Sequence, residues 1–82
     1  MKEIKKLTLD RPATYRIRVP GELDRNWSDW AGGMTITVKR EGDEEEWPVT
    51  TLTGTVDQAA LQSVLRWLYS LGLPLISVTC VD

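Results

Sequence analysis

The sequence of 82 residues contains no histidine and only one cysteine. Without histidine, the chain lacks the side chain that most often serves as a general base near neutral pH and as a metal ligand. One cysteine cannot form an internal disulfide, and a small domain that is stable without one is typical of a reducing compartment. We therefore predict a cytoplasmic protein that is not an enzyme and that uses no metal and no cofactor.

Long apolar segments are also missing from the chain. Its apolar runs are a few residues long, whereas about 20 are needed to span a bilayer. Residues 1–10 carry positive charge, but the continuous apolar stretch of a secretory signal does not follow them. A chain this short supports one core. We predict a single domain over residues 13–82, preceded by residues 1–12 as an N-terminal arm or an extra edge strand.

Charged residues make up 27% of the chain and are unevenly distributed. The net charge of −2 argues against nucleic acid as the main partner, because phosphate contacts need clustered Lys and Arg. Residues 1–18 are basic, whereas residues 41–46 ("EGDEEE") hold only acidic charges. This polarity has two interpretations: a solvated hairpin tip beside a basic edge, or a charge pattern that steers a partner or pairs chains head to tail.

Alternating apolar and polar residues predict four strands. The segments "TYRIRV" and "MTITVKR" alternate strictly, and "EEWPVTTLTG" returns as a third strand after a tight reversal at Gly42. Pro48 has no amide donor, which places this third strand at a sheet edge or predicts a bulge. The segment "LISVTCV" predicts a last strand with Ile76, Val78 and Cys80 pointing inward, so we expect Cys80 to be buried as a small hydrophobic residue.

One helix is predicted between the third and last strands. Thr55 and Gln58 have the spacing of a capping box, and Asp57 adds a favourable charge in the first turn. Gly72 and Pro74 end the helix. The apolar stripe that faces the core consists of Leu61, Val64, Leu65 and Leu68.

These elements predict an α+β two-layer sandwich. Its mainly antiparallel sheet has about four strands in the order β-β-β-α-β, with one long helix on one face and a short helical turn in the Trp-containing loop. A right-handed crossover through the helix makes the third and last strands parallel. The preferred strand order is 3-2-1-4.

Four motifs resemble a family of short uncharacterised bacterial proteins. These are "WSDWAGG", "TTLTG", "DQAALQSVL" and "LGLPLISV", in this order, and the similarity extends from about Tyr15 to Val81. The resemblance implies the same order of elements. It implies no activity, cofactor, partner or catalytic residue.

The segment of residues 25–33 ("RNWSDWAGG"), which we call the Trp loop, raises the first question of function. Leu23, Trp27 and Trp30 fall at i, i+4 and i+7, which puts them on one face of a short helix that Asp24 caps. One interpretation is a lid over the core. The other is a small-molecule pocket between the loop and the helix start, with Trp27 or Trp30 as a wall and Asp29 as the polar contact.

The sheet face opposite the helix raises the second question. It is either solvated, or the interface of a homodimer formed through this face or an edge strand, or a ligand or nucleic-acid surface. The acidic residues next to Trp47 argue against nucleic acid there, because they repel phosphate. We predict a non-enzymatic protein–protein interaction or homodimerising module, and a small-molecule-binding domain as the alternative. The predicted interface residues are Arg16, Arg18, Thr35, Thr37 and Trp47 on the sheet, helped by Trp67 on the helix.

Overall fold

A computed structural model describes residues 11–24, 26–27, 32–42 and 46–81. The elements are β1 (Ala13–Pro20), β2 (Thr35–Glu41), β3 (Trp47–Val56), α1 (Gln58–Ser70) and β4 (Ser77–Cys80). One helix packs on one face of a four-stranded antiparallel sheet, so the predicted α+β architecture is confirmed. Residues 1–10 of the predicted arm lie outside the described residues.

The strands lie in the order β2-β3-β1-β4, and every neighbouring pair is antiparallel. The predicted order 3-2-1-4 is wrong, because β1 pairs with β3 rather than with β2. The connection of residues 21–34 is long enough to pass β3, and it makes β1 and β2 parallel with β3 between them. β4 pairs with β1 and runs parallel to β3, as predicted. The predicted order made β1 parallel to β3 and β4, however, and both of these pairs are antiparallel.

The central position of β3 overturns the edge-strand prediction made from Pro48. The amide of Gly21 donates to the carbonyl of Pro48 at 2.9 Å, as in a regular antiparallel pair. Because Pro48 cannot donate in return, the carbonyl of Gly21 accepts instead from the hydroxyl of Thr50 at 2.7 Å. The same hydroxyl accepts from the amide of Leu23 at 3.1 Å. Thr50 thus replaces the hydrogen bond that Pro48 cannot donate. It also bonds the first residues of the 21–34 connection to β3.

The core lies between α1 and the facing side of β1, β2 and β3. Ile17 of β1 and Leu52 of β3 form its centre and are fully buried together with Leu68 of the helix. Gln58 donates from Nε2 to the hydroxyl of Tyr15, which joins the first turn of α1 to β1. The remaining buried apolar residues of the core cluster are Ala13, Val19, Leu23, Met34, Ile36, Val56, Leu61 and Val64.

Gly54 has a packing role in this layer. A Cβ atom at this position would lie 3.1 Å from Cα of Met34, which is tighter than most Cβ contacts in proteins and would require the backbone of Met34 to shift. The missing side chain lets the start of β2 lie close against β3. The glycine that ends the "TTLTG" motif is therefore explained by the fully buried Met34.

The helix starts two residues later than a capping box at Thr55 would place it. Asp57 is the N-cap, and its Oδ1 accepts from the amide of Ala60 at 2.8 Å. The capping-box prediction is wrong because β3 continues to Val56, where Thr55 bonds Thr14 on the neighbouring strand. The predicted end is confirmed: Gly72 has φ of 78°, and Leu73 behind it donates from its amide to the carbonyl of Leu68.

The last strand differs most from expectation. Ile76, Val78 and Cys80 lie on the core side of the sheet, as their register with Ile17 requires. They are nevertheless exposed, Ile76 by 47% and Val78 by 40%, and Cys80 is an exposed free thiol. The prediction of a buried Cys80 is wrong because α1 packs over β1 and β3 and does not reach across β4.

We expect Thr50→Val to destabilise the fold by about 1–3 kcal/mol, because it leaves the Gly21 carbonyl and the Leu23 amide without a partner in a buried position. The measurement is urea unfolding. Thr53→Val is the matched control, since Thr53 is on the opposite face of β3 and hydrogen-bonds no other described side chain; we expect it to change stability by less than about 0.5 kcal/mol. Equal effects of the two substitutions would contradict the role given to Thr50.

Candidate functional site

The Trp loop begins with a capped turn. Asn26 and Trp27 form a short 3-10 turn, in which Oδ1 of Asp24 accepts from the amide of Asn26 at 2.9 Å and the carbonyl of Asp24 accepts from the amide of Trp27 at 3.0 Å. The predicted helical turn with an Asp24 cap is confirmed at these residues. Trp30 and Asp29 lie outside the described residues, so their part in a lid or a pocket stays a prediction.

Trp27 contacts the helix. Its ring lies edge-on to the ring of Trp67, with 6.0 Å between centroids and an interplanar angle of 70°. Gly32 follows on the same loop, and a Cβ there would lie 3.5 Å from Cγ2 of Val64. Trp27 is still 39% exposed. Trp27 and Gly32 thus both lie against one side of α1, which favours the lid interpretation for Trp27.

A surface depression of about 690 Å³ lies near the start of the loop. Its polar side chains are Glu22, Asp24 and Arg40. Leu23, Val38 and Pro48 supply its apolar part. Among the described residues that line it there is no tryptophan, so the depression does not coincide with the predicted pocket between Trp27 and the helix start.

The sheet face opposite the helix carries two rows of polar side chains across the four strands. The strand register aligns Arg18 with Thr51 and Ser77, and Arg16 with Thr53 and Thr79. On β2 these rows end at Thr37 and Thr35, respectively. We call this surface the open face. Its predicted interface residues on β1 and β2 therefore lie on one face, as expected from the alternation, with Thr51 and Thr53 of β3 between them.

One ion pair spans the open face. Nη2 of Arg18 on β1 donates to both carboxylate oxygens of Glu41 on β2. The two residues are separated by β3, and the register puts Val49 in the row between them. Val49 is 2% exposed although it lies outside the core cluster. The ion pair thus covers Val49, so Arg18 has a structural role on this face.

The two predicted interface tryptophans do not share a surface. Trp47 pairs with Glu41 at the hairpin end of the open face and is 52% exposed. Trp67 belongs to the helix layer on the other side of the sheet, where it contacts Trp27. A single interface on one face cannot include both tryptophans.

Sequence reasoning missed the surface around β4. Ile76 and Val78 are exposed there, and Tyr69 of α1 is 84% exposed. Leu65 and Tyr69 follow Gln58 at helical spacing, so they lie on the side of α1 that contacts β1 and that faces β4. A signal was present in the sequence, since residues 67–81 contain no charged side chain. We call Leu65, Tyr69, Ile76, Val78 and Cys80 the β4 surface.

A metal site and a membrane-spanning helix each place requirements on the described residues. No group of three or more His, Cys, Asp or Glu side chains among these residues is placed to hold a metal ion. None of the described helical segments has the length and apolar character needed to cross a bilayer.

We expect the Trp27–Trp67 contact to give a measurable coupling. In a double-mutant cycle with alanine at both positions, the coupling energy should be about 0.5–1.5 kcal/mol, the range for edge-to-face aromatic pairs. Urea unfolding of the four proteins measures it. A cycle between Trp47 and Trp67 is the control, since those rings lie on opposite layers and should show additive effects. A coupling near zero for Trp27 and Trp67 would contradict the observed packing.

Comparison with known proteins identifies the family of the chain but gives no activity. No curated protein and no solved structure matches the chain. A family model described as a domain of unknown function (DUF8691) matches residues 14–79, which extend from β1 into β4. The chain belongs to this family of uncharacterised domains.

Proposed function

We propose that the protein is a non-enzymatic protein–protein interaction module that forms a homodimer through its β4 surface and the outer edge of β4. One observation carries the proposal: β4 combines exposed apolar side chains with an edge to which no other described strand is paired. Soluble domains seldom leave both features exposed unless a partner covers them. The lack of histidine anywhere in the sequence supports the non-enzymatic part of the proposal.

The two edges of the sheet differ in a way that supports this choice. The edge strand β2 carries consecutive charges at Lys39, Arg40 and Glu41. Charged side chains of this kind oppose edge-to-edge pairing with another chain. β4 has the sequence SVTC and lies inside the charge-free segment 67–81. Only one of the two edges therefore has the composition of a pairing edge.

The backbone of β4 suits pairing with a second copy of itself. Val81 donates from its amide to the carbonyl of Thr14 in β1, which directs Val81 and, by alternation, Thr79 toward β1. The amides and carbonyls of Val78 and Cys80 then point away from the sheet. In a two-fold antiparallel pair centred on Thr79, Val78 of each copy exchanges hydrogen bonds with Cys80 of the other.

Such pairing would also bury the side chains that α1 leaves exposed. Val78 of each copy would lie opposite Cys80 of the other on the helix side of an eight-stranded sheet, and the two Val78 side chains would be diagonal neighbours, with Ile76 farther out along each strand. Tyr69 and Leu65 of each helix flank this groove and would extend the apolar contact. Burial of aromatic and branched side chains supplies most of the stabilisation of interfaces of this type.

We also infer a cytoplasmic, bacterial setting for the module. An exposed free thiol at Cys80 is compatible with a reducing compartment. We propose that the motifs quoted above are what members of the family share. In support, Gly54 ends one motif at a close backbone approach, and Gly72 lies in another where the helix ends.

The homodimer is tested by native mass spectrometry and sedimentation of the full chain and of Val78→Lys. Val78 is already 40% exposed, so the folded monomer can hold a lysine there with its ammonium group in water. We expect a dimer for the original chain and a monomer for the variant, because pairing would bring two unpaired ammonium groups together. Circular dichroism verifies that the variant is folded.

Trp47→Lys is the matched control. It also replaces an exposed apolar residue by lysine, but at the hairpin end of the open face, and we expect it to remain dimeric. A monomer from Trp47→Lys and a dimer from Val78→Lys would move the interface to the open face. A monomeric original chain with a bound small molecule would favour the second candidate, a small-molecule-binding domain, for which the 690 Å³ depression beside the Trp loop is the supporting observation.

A further inference from the structure

The open face has a chemistry that the β4 interface does not use. Its two central rows consist of hydroxyl and guanidinium groups, from Thr37 and Thr51 with Arg18, and from Thr35 and Thr53 with Arg16. Hydroxyl and guanidinium groups are donors to oxyanions, and guanidinium matches the geometry of phosphate and carboxylate. A surface built from these groups favours a negatively charged ligand.

The charges on this face also favour a negatively charged ligand. Its described residues include three cations, Arg16, Arg18 and Lys39, and one carboxylate, Glu41. The carboxylate is already paired with Arg18. Arg16 is exposed, and neither Arg16 nor Lys39 forms an ion pair or side-chain hydrogen bond with any other described residue. Although the whole chain has a net charge of −2, this face offers two cations that have no counter-charge among the described residues.

A depression of about 450 Å³ brings these groups together. It is lined by Arg16, Arg18, Thr37, Lys39, Glu41 and Thr51. The Arg18–Glu41 pair lies across it, and the hydroxyls of Thr37 and Thr51 are neighbours in one row. Arg16 and Lys39 lie on opposite sides of that row, on β1 and β2, so their long side chains can approach one ligand from two directions.

We propose that this depression is a binding site for a small molecule that carries a phosphate group. Arg16 and Lys39 neutralise the phosphate, and the hydroxyls of Thr37 and Thr51 donate to its oxygens. Arg18 is held by Glu41 and acts as one wall. The proposal is independent of the homodimer, because pairing through the edge of β4 leaves the open face of each copy uncovered.

The test is an amide chemical-shift titration of the full chain with inorganic phosphate, at constant ionic strength maintained with chloride. We expect saturable shifts at Thr37, Thr51 and Thr53, with α1 unaffected. Arg16→Ala should weaken binding about tenfold, the effect of losing one charge-assisted hydrogen bond. Arg66→Ala is the matched control: it removes the same charge from the exposed side of α1 and should leave the affinity unchanged.

A second variant tests the site by a gain of binding. Glu41→Gln removes the single carboxylate from the depression and frees Arg18, so we expect phosphate to bind more tightly. The proposal is overturned if the shifts do not saturate, or if they spread over the whole surface. Equal weakening by Arg16→Ala and Arg66→Ala would also overturn it, because that result indicates a general charge effect.

Discussion

A single helix of 13 residues covers a sheet of four strands, and this limit on coverage determines the rest of the structure. An α-helix with its side chains is about 10 Å wide, whereas four strands at about 4.8 Å spacing place their outer members about 14 Å apart. The helix packs over the two middle strands, β3 and β1. The sides toward β2 and β4 need other cover, and only the β2 side receives it from a described part of the chain, the Trp loop.

On the β2 side, the Trp loop can cover the core because hydrogen bonds hold the start of the 21–34 connection against β3. Thr50 joins the carbonyl of Gly21 to the amide of Leu23 from a fully buried position, and Trp27 then contacts Trp67 on the helix. The loop can take this path because β1 and β2 are parallel and separated by β3. On the β4 side no described segment outside the sheet covers the strand, and Val78 stays 40% exposed. The asymmetry between the two sides is the physical basis of the proposed homodimer.

The sequence predicted local structure well and neighbour relations poorly. Alternation in β1 and the stripe at Leu61, Val64, Leu65 and Leu68 predicted which side chains face the core, because these periods depend only on nearby residues. Three of the four stripe residues are buried, and Leu65 is partly buried. The predicted strand order was wrong. Alternation of apolar and polar residues shows which face of a strand points to the core, but it does not show which other strand lies next to it. Burial of Cys80 was wrong for a related reason: an inward-pointing residue is buried only where another layer covers it.

In the candidate sites, too, local features were predicted and contacts between strands were not. The composition of the open face was predicted from alternation, but the Arg18–Glu41 pair was not, because it depends on β3 lying between β1 and β2. The β4 surface was missed because inward-pointing residues were assumed to be covered.

The central claim is that the β4 edge pairs with a second copy of the chain. The most direct test is hydrogen exchange of the Val78 and Cys80 amides at high and low protein concentration. The account predicts slow exchange that becomes fast on dilution, while the amide of Val81, bonded to Thr14 within the chain, keeps its protection. Fast exchange of both amides at every concentration would contradict it.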